Sequence, residues 1–217
     1  LPNYRGAAPI NRVLINGEKE TGITTFFIDK NIDSGLIITQ KKIQISKHMT
    51  AGQLHNKLIE YGNIILNKTI HDIHNNLINS RIQCLTPELK PAPKLSKHSF
   101  RIDWSKSAND IHNLVRGLSP YLSDNSLLKD VSICPSAWFV FENPNKQQKR
   151  IKLQLTEIKN KSHCSHLNID TDNKSYLNIT VNKKEISILY LQLEGKKPMS
   201  IKQFLKGNKI MTTTKIL

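Results

Sequence analysis

The sequence has few of the features that mark disulfide-bonded or membrane proteins. Its three cysteines, Cys84, Cys134 and Cys164, are widely spaced, and no CxxC pair occurs. A small, odd number of distant cysteines argues against a disulfide framework and favours a reducing compartment such as the cytoplasm. No apolar run approaches the ~20 residues that a membrane-spanning helix needs, and no signal-peptide pattern opens the chain. We therefore expect a cytoplasmic protein with no membrane partner.

Arginine is scarce beside lysine. The chain has 32 basic residues, of which six are arginine, against 17 acidic residues, and its net charge is +15. A charge of this size attracts polyanions such as RNA and speeds encounter with them. Abundant Lys, Asn and Ile is also what an AT-rich genome encodes. The charge is therefore compatible with RNA binding and does not by itself establish it.

Metal-ligand patterns are also weak. His163, Cys164 and His166 lie close together in a polar segment, but no second distant ligand pair accompanies them, as a zinc site would require. We expect no metal site. The other histidines of note, which we expect at the surface, are His48, His55, His71 and His74.

Residues 1–80 predict an α/β layer, because helical and strand patterns alternate there. Pro9 stands where the first residue of a short helix is favoured. Thr50 and Gln53 form a capping box, and the apolar residues that follow predict a helix ending near residue 78. The β-branched and aromatic residues between the two helices predict strands at residues 23–28 and 35–45.

A proline-rich stretch separates this half from a second one. Three prolines fall between residues 87 and 93, so residues 81–98 predict a semi-rigid extended linker. In residues 99–217 we expect helices capped by Ser107 and Ser200 and several short strands, as in a small β-barrel. The predicted strands are residues 137–142, 151–158, 176–181 and 185–193, with polar loops at 143–150 and 159–175.

Six short motifs follow one another in a fixed order along the chain. They are LPNYRGAAPI at residues 1–10, ETGIT at 20–24, IDSG at 32–35, RIDW at 101–104, IHNLVRGLSPY at 111–121 and KKPMSIKQFL at 196–205. Together they resemble the methionyl-tRNA formyltransferases. That family transfers a formyl group from 10-formyltetrahydrofolate to the α-amino group of methionine on initiator tRNA.

The resemblance implies a two-domain fold. Residues 1–80 would be part of a formyltransferase (Rossmann-like) α/β domain. Residues 99–217 would be an all-β, OB-like barrel that contacts tRNA. Between Tyr121 and Pro135 the family usually has almost nothing, so residues 122–134 read as an insertion.

The resemblance also assigns roles to residues of the opening segment. The family uses an Asn and a His from an NxHxSLLP motif together with an Asp from a [LI]DTG turn, and Asp33 matches that Asp. Leu1 and Pro2 match the end of the first motif, and with Arg5 and Gly6 they are the candidate folate contacts. The Asn, His and Ser of the motif precede this stretch in the family. We therefore expect the 217 residues to be inactive alone.

Physical chemistry permits these roles without requiring them. An Asn amide can donate to a developing oxyanion, and a His can move protons near neutral pH. Asp33 could orient such a His and help to remove protons from the incoming amine. Taken alone, an Asp-Ser-Gly turn is ordinarily structural, since the Asp accepts a backbone N–H.

Basic residues of the second half are the candidate RNA contacts. For any single lysine, a solvated surface position is the commoner explanation, but the cluster favours a phosphate-binding surface. We expect initiator methionyl-tRNA as the partner, no DNA, and a monomer. The candidates are Lys149, Arg150, Lys152, Lys183, Lys184, Lys196 and Lys197, with Lys202 and Lys206 beside them.

Two other functions stay open on the sequence. One is a relative that formylates a sugar nucleotide or a purine precursor; such enzymes share the opening loop and the Asp turn but lack the RIDW, RGLSPY and KKxMS segments as a set. The other is a truncated remnant that acts at most as a basic RNA-binding module.

Overall fold

The first half of the molecule is an antiparallel hairpin packed against helices. The computed structural model describes residues 1–122, 124, 126–128, 133–159, 167–211 and 214–217. Strands β1 and β2 pair antiparallel, and helix α2 packs against both. The elements of this half are α1 (Pro9–Ile15), β1 (Glu20–Phe26), β2 (Ile37–Gln44) and α2 (Ala51–His74).

Local sequence signals set the helix ends in this half. Pro9 is the first residue of α1, as its fixed φ favours. The Thr50 hydroxyl accepts from the Gln53 amide at 3.2 Å, while the Gln53 side chain accepts from the Thr50 amide at 3.0 Å. This capping box starts α2 as predicted. The helix ends at His74, somewhat before the expected residue 78.

The second half is a curled antiparallel sheet with helices against it. The strand order is β5-β6-β7-β4-β3-β9, and β8 also pairs with β7. The elements are a short 3₁₀ helix (Lys97–Phe100), α3 (Ala108–Leu118), β3 (Ala137–Glu142), β4 (Gln148–Lys159), β5 (Asn168–Thr171), β6 (Leu177–Val181), β7 (Lys184–Leu193), β8 (Met199–Ser200), α4 (Ile201–Gly207) and β9 (Lys215–Ile216). An α/β unit followed by an antiparallel β unit is the predicted fold class, which is confirmed.

The core of the second half lies between the curled sheet and α3. On β3 the burial alternates, so Phe139 and Phe141 point inward while Trp138 points outward. From α3, Ile111, Val115 and Leu118 cover the inner face, and all three are at most 1% exposed. One apolar stripe on one helix thus closes the sheet.

Three short strands were not predicted. The first of them, β5, falls inside the expected polar loop at residues 159–175. In addition, the long predicted strand β4 begins earlier than expected, inside the predicted loop at 143–150. The residues of β5 have weak strand propensity, and their pairing with β6 determines their conformation. β8 and β9 are two residues each, too short to produce a periodic pattern.

The two halves are joined by a polar junction between α1 and α3. The buried Asn11 amide donates to the carbonyls of Gly117 and Ile133, at 2.8 Å each. The Arg116 guanidinium donates to the Leu14 and Met49 carbonyls at 3.3 and 3.4 Å. The described part of the predicted insertion at residues 122–134 also packs here, with Cys134 buried among apolar residues of α1 and α2.

Candidate active site

The opening loop forms one wall of a cavity of about 650 Å³. Strands β1 and β2 and residues 86–90 complete its lining. Three predicted site residues, Leu1, Gly6 and Asp33, lie on this cavity; Pro2 and Arg5 are not among its lining residues. The lining residues are Leu1, Asn3, Tyr4, Gly6, Pro9, Val13, Glu18, Glu20, Thr21, Gly22, Thr24, Asp33, Gln40, Lys42, Thr86, Glu88 and Lys90.

Asp33 lies on the loop that joins β1 to β2. A different aspartate braces this loop: the Asp29 carboxylate accepts from the Asn31 amide at 2.6 Å and from the Ser34 hydroxyl at 3.0 Å. Within the described part of the chain, no donor lies within hydrogen-bond distance of the Asp33 carboxylate. Asp33 is half-buried at a positive φ of 55°. Its carboxylate is therefore available to a ligand in the cavity.

Gln83 holds the backbone of this turn from below, and sequence reasoning missed it. Its side-chain amide donates to the carbonyls of Asp33 and Gly35 at 2.9 and 2.8 Å. Its side-chain oxygen accepts from the Arg5 guanidinium at 2.6 Å. Gln83 is 5% exposed, so these bonds are shielded from water. Arg5, predicted as a folate contact, is thus engaged beneath the Asp33 turn.

The residues that follow Gln83 run along the opening loop. The Tyr4 amide donates to the Lys90 carbonyl, the Ala92 amide donates to the Arg5 carbonyl, and the Ala8 amide donates to the Ala92 carbonyl. A Cβ on Gly6 would lie 2.4 Å from the Ala92 carbonyl oxygen, so only glycine permits this approach. The segment predicted as a linker therefore forms part of the cavity wall.

A tyrosine, a glutamate and a lysine are hydrogen-bonded on the cavity wall. The Tyr4 hydroxyl donates to Glu18 at 2.5 Å, and the Lys90 ammonium donates to the same carboxylate oxygen at 2.6 Å. The Lys90 and Tyr4 bonds lower the pKa of Glu18. Burial and the bond to Glu18 raise the pKa of Tyr4 to about 12. At neutral pH this group therefore presents a protonated phenol and a carboxylate, with Lys90 bonded to the carboxylate. No sequence signal connects Lys90 to Tyr4.

The predicted RNA contacts fall at two ends of β7. Three of them, Lys149, Arg150 and Lys152, lie on β4, and Ile151 pairs with Leu193 at the end of β7. Lys196 and Lys197 directly follow that end. Lys183 and Lys184 lie at the other end of β7, roughly 30 Å away at ~3.3 Å per residue. The structure thus groups five of the seven residues.

Among the described residues no group of three His, Cys, Asp or Glu side chains could hold a metal ion. His163, Cys164 and His166 lie outside the described residues. His48, His71 and His74 are exposed and His55 is partly so. No helix of the described part is long and apolar enough to cross a membrane.

Comparison with protein families identifies both halves. The family model described as "Formyl transferase" matches residues 1–70, and "Formyl transferase, C-terminal domain" matches residues 94–209. The methionyl-tRNA formyltransferase of Flavobacterium johnsoniae is 39% identical over 207 residues, covering 95% of this chain and 61% of the relative. That of Azobacteroides pseudotrichonymphae is 40% identical over 215 residues, covering 96% of this chain and 62% of the relative.

Solved structures share the fold at lower identity. An N-formyltransferase from Helicobacter canadensis, in complex with folinic acid and dTDP-3-aminofucose, has a TM-score of 0.63 and 21% identity, covering 87% of this chain and 62% of that chain. The methionyl-tRNA formyltransferase from Clostridium thermocellum has a TM-score of 0.52 and 18% identity, covering 83% and 65%.

The chain spans about 61–62% of the length of the two curated relatives described. The match runs through both family models, and the second model alone covers more than half of the chain. The chain therefore belongs to the formyltransferase family.

Proposed function

We propose that the protein transfers a formyl group from 10-formyltetrahydrofolate to the α-amino group of methionyl initiator tRNA. One observation carries the proposal: the opening loop and the Asp33 turn line the same cavity. Support comes from the curated relatives, which are named methionyl-tRNA formyltransferases and are 34–40% identical over nearly the whole chain.

The cavity is large enough for a folate. Its volume of about 650 Å³ lies within the ~300–1,000 Å³ typical of small-molecule sites. Leu1 offers an apolar edge, and Gly6 lines the cavity where its missing Cβ lets the Ala92 carbonyl approach. We assign folate contacts to Leu1, Pro2 and Gly6, with Arg5 acting beneath the turn. When bound, 10-formyltetrahydrofolate supplies the formyl group.

Asp33 binds and orients the incoming amine and accepts its proton as the new C–N bond forms. The formyl bond to the folate nitrogen then breaks, and that nitrogen takes up the proton, so that tetrahydrofolate leaves. Its carboxylate has no hydrogen-bond donor in the described part of the chain, so it can accept from an ammonium or amine nitrogen. Gln83 fixes the turn by holding two of its carbonyls, so the carboxylate keeps its position on the cavity. No histidine lies among the described residues of the cavity lining. We therefore expect the 217 residues alone to be inactive.

The basic end of β4 and β7 is the proposed tRNA surface. Lys149, Arg150, Lys152, Lys196 and Lys197 supply five positive charges there. Phosphate contacts of this kind give affinity that weakens as salt rises. Lys183 and Lys184, at the other end of β7, would contact a separate part of the RNA. We further propose that the protein is monomeric and cytoplasmic.

The test compares acceptors in a full-length protein, by which we mean residues 1–217 joined to the segment that precedes them in the family. Formylation is measured with 10-formyltetrahydrofolate and either methionyl initiator tRNA or a dTDP-amino sugar. Transfer to the tRNA, with the sugar nucleotide inert, supports the proposal. Transfer to the dTDP-amino sugar, with the tRNA inert, would establish a sugar-nucleotide formyltransferase instead. Tight RNA binding without transfer to any acceptor would identify the RNA-binding remnant. The 217-residue chain is assayed in parallel.

A further inference from the structure

Trp138 stands between two arginines on the outer face of the sheet. The Arg150 guanidinium carbon lies 4.6 Å from the centre of the indole ring, and that of Arg101 lies 5.7 Å from it. Arg101 bridges to Trp138 on one side of β3, and Lys152 lies opposite Trp138 on β4. Both arginines are exposed, while Trp138 and Lys152 are half-buried. We call Arg101, Trp138 and Arg150 the arginine–tryptophan stack.

The chemistry of this stack suits an unpaired nucleobase. A base stacks on an aromatic ring or on a guanidinium plane, and the arginine charge strengthens the contact. The indole behind each guanidinium restricts its orientation, so less freedom is lost on binding. Among the residues that the structure describes, the one acidic side chain paired with the stack is Glu194, 3.5 Å from Arg150, and 68% of that glutamate side chain is exposed. This pair is weak and open to competition from a phosphate.

Phe100 and the opening loop connect the stack to the wall of the proposed active site. Arg101 directly follows Phe100, which lines a second cavity together with Ala7 and Pro9 of the opening loop. Pro9 also lines the cavity that holds Asp33. We place a polynucleotide whose aminoacyl end reaches Asp33 along this path, past Phe100 to Trp138.

We propose that the arginine–tryptophan stack binds an unpaired base of the acceptor RNA, with Lys152 on an adjoining phosphate. The proposal rests on the proposed function for the nature of the RNA. It adds a base-stacking site to a surface that would otherwise bind by charge alone. Base stacking of this kind tolerates any base identity, because every base has a π face.

The test separates stacking from charge. In the full-length protein, Trp138→Leu is compared with Trp138→Phe, which keeps an aromatic ring. Binding of uncharged initiator tRNA is measured by anisotropy at several salt concentrations. We expect Trp138→Leu to weaken binding about 10-fold without changing the salt slope, and Trp138→Phe to stay within about threefold of the wild type. Arg150→Lys, which keeps the charge but loses the plane, should also weaken binding.

Two further probes decide the outcome. A blunt RNA duplex and heparin carry the charge but offer no unpaired base, so Trp138→Leu should leave their binding unchanged. Unaltered tRNA binding by Trp138→Leu, or an equal loss on tRNA, duplex and heparin, would overturn the stack. Formyl transfer is measured separately. If formyl transfer to tRNA occurs but Trp138→Leu does not change tRNA binding, the stacking proposal is wrong and the proposed function stands. If the stack binds RNA but no formyl transfer is detected, the proposed function is wrong and the stacking proposal stands.

Discussion

Two aspartates on one loop differ in their contacts. Asp29 accepts the hydrogen bonds that hold the β1–β2 loop together, whereas Asp33 lines the cavity without a donor in the described part of the chain. The Asp of an Asp-Ser-Gly turn usually has a structural role as an acceptor of hydrogen bonds. In this loop Asp29 has that role instead of Asp33. This difference makes the role of Asp33 testable by a matched pair of substitutions.

Asp33→Asn in the full-length protein should lower the rate of formyl transfer about 100-fold or more, because an amide cannot accept the proton of the amine. Affinity for tRNA should change little, since the proposed RNA surface lies on β4 and at the end of β7. Steady-state kinetics and a separate binding assay measure the two effects. Asp29→Asn is the control, and its rate should stay within about threefold of the wild type. A rate for Asp33→Asn equal to that of the control would refute the catalytic role.

Gln83 is expected to act through Asp33. Gln83→Leu removes two donors to buried carbonyls and should cost about 2–3 kcal/mol in the free energy of unfolding. In the full-length protein it should also lower kcat. Urea denaturation gives the first quantity. Exposed Gln44→Leu is the matched control and should leave both nearly unchanged.

A double-mutant cycle distinguishes positioning from a general loss of stability. If Gln83 acts by holding the Asp33 turn, Gln83→Leu should lower kcat much less in an Asp33→Asn background than in the wild type. Additive losses in kcat would show that Gln83 supports the fold without positioning Asp33.

At the scale of elements, local signals were predictable and distant pairings were not. The caps Thr50, Ser107 and Ser200 each accept from the backbone amide three residues on, so a short window of sequence contains both partners. The bond from Gln83 to Asp33 spans 50 residues, and no local pattern reports it. The same limit hid β9, which is defined only by its pairing with β3. The family resemblance, by contrast, predicted roles for Asp33 and the opening loop, and both line one cavity.

The crossing of α1 and α3 depends on a glycine. A Cβ on Gly117 would lie 2.7 Å from the Ile15 side chain and 3.2 Å from the Ile15 backbone nitrogen. Gly117→Ala should therefore destabilise the protein by about 1–3 kcal/mol, despite the better helix propensity of alanine. Gly62→Ala in the middle of α2 is the matched control: its nearest neighbour would be 3.9 Å away. That variant should be up to about 1 kcal/mol more stable in thermal or urea unfolding.

At the scale of the whole molecule, the junction of the two halves buries an ionisable side chain. His112 on α3 is 4% exposed and touches both halves: its Nδ1 lies 2.9 Å from the Thr156 hydroxyl, and its Nε2 lies 3.5 Å from the Lys47 carbonyl oxygen. Burial, and to a lesser degree the charge of Arg116, lower the pKa of His112 to about 4, while the Lys47 carbonyl opposes the shift. The folded junction therefore holds a neutral imidazole.

This buried histidine makes the stability of the molecule depend on pH. Between about pH 6.5 and pH 4 the unfolded chain binds a proton at His112 that the folded protein does not, so the free energy of unfolding should fall by about 2–3 kcal/mol as pH drops through this range. Carboxylates with lowered pKa, such as Glu18, lose their contribution near and below their ordinary values of ~4, so the interval from pH 6.5 to 5 reports mainly on histidine.

Urea denaturation at half-unit steps of pH measures the slope, and His112→Gln should flatten it while keeping a side chain that can bond Thr156. His74→Gln, at an exposed position, should keep the slope of the wild type. Equal slopes in wild type and His112→Gln would mean that the histidine is solvated when folded. The two halves would then not meet in a junction that excludes water. That junction would not hold the wall of the proposed active site against the β sheet.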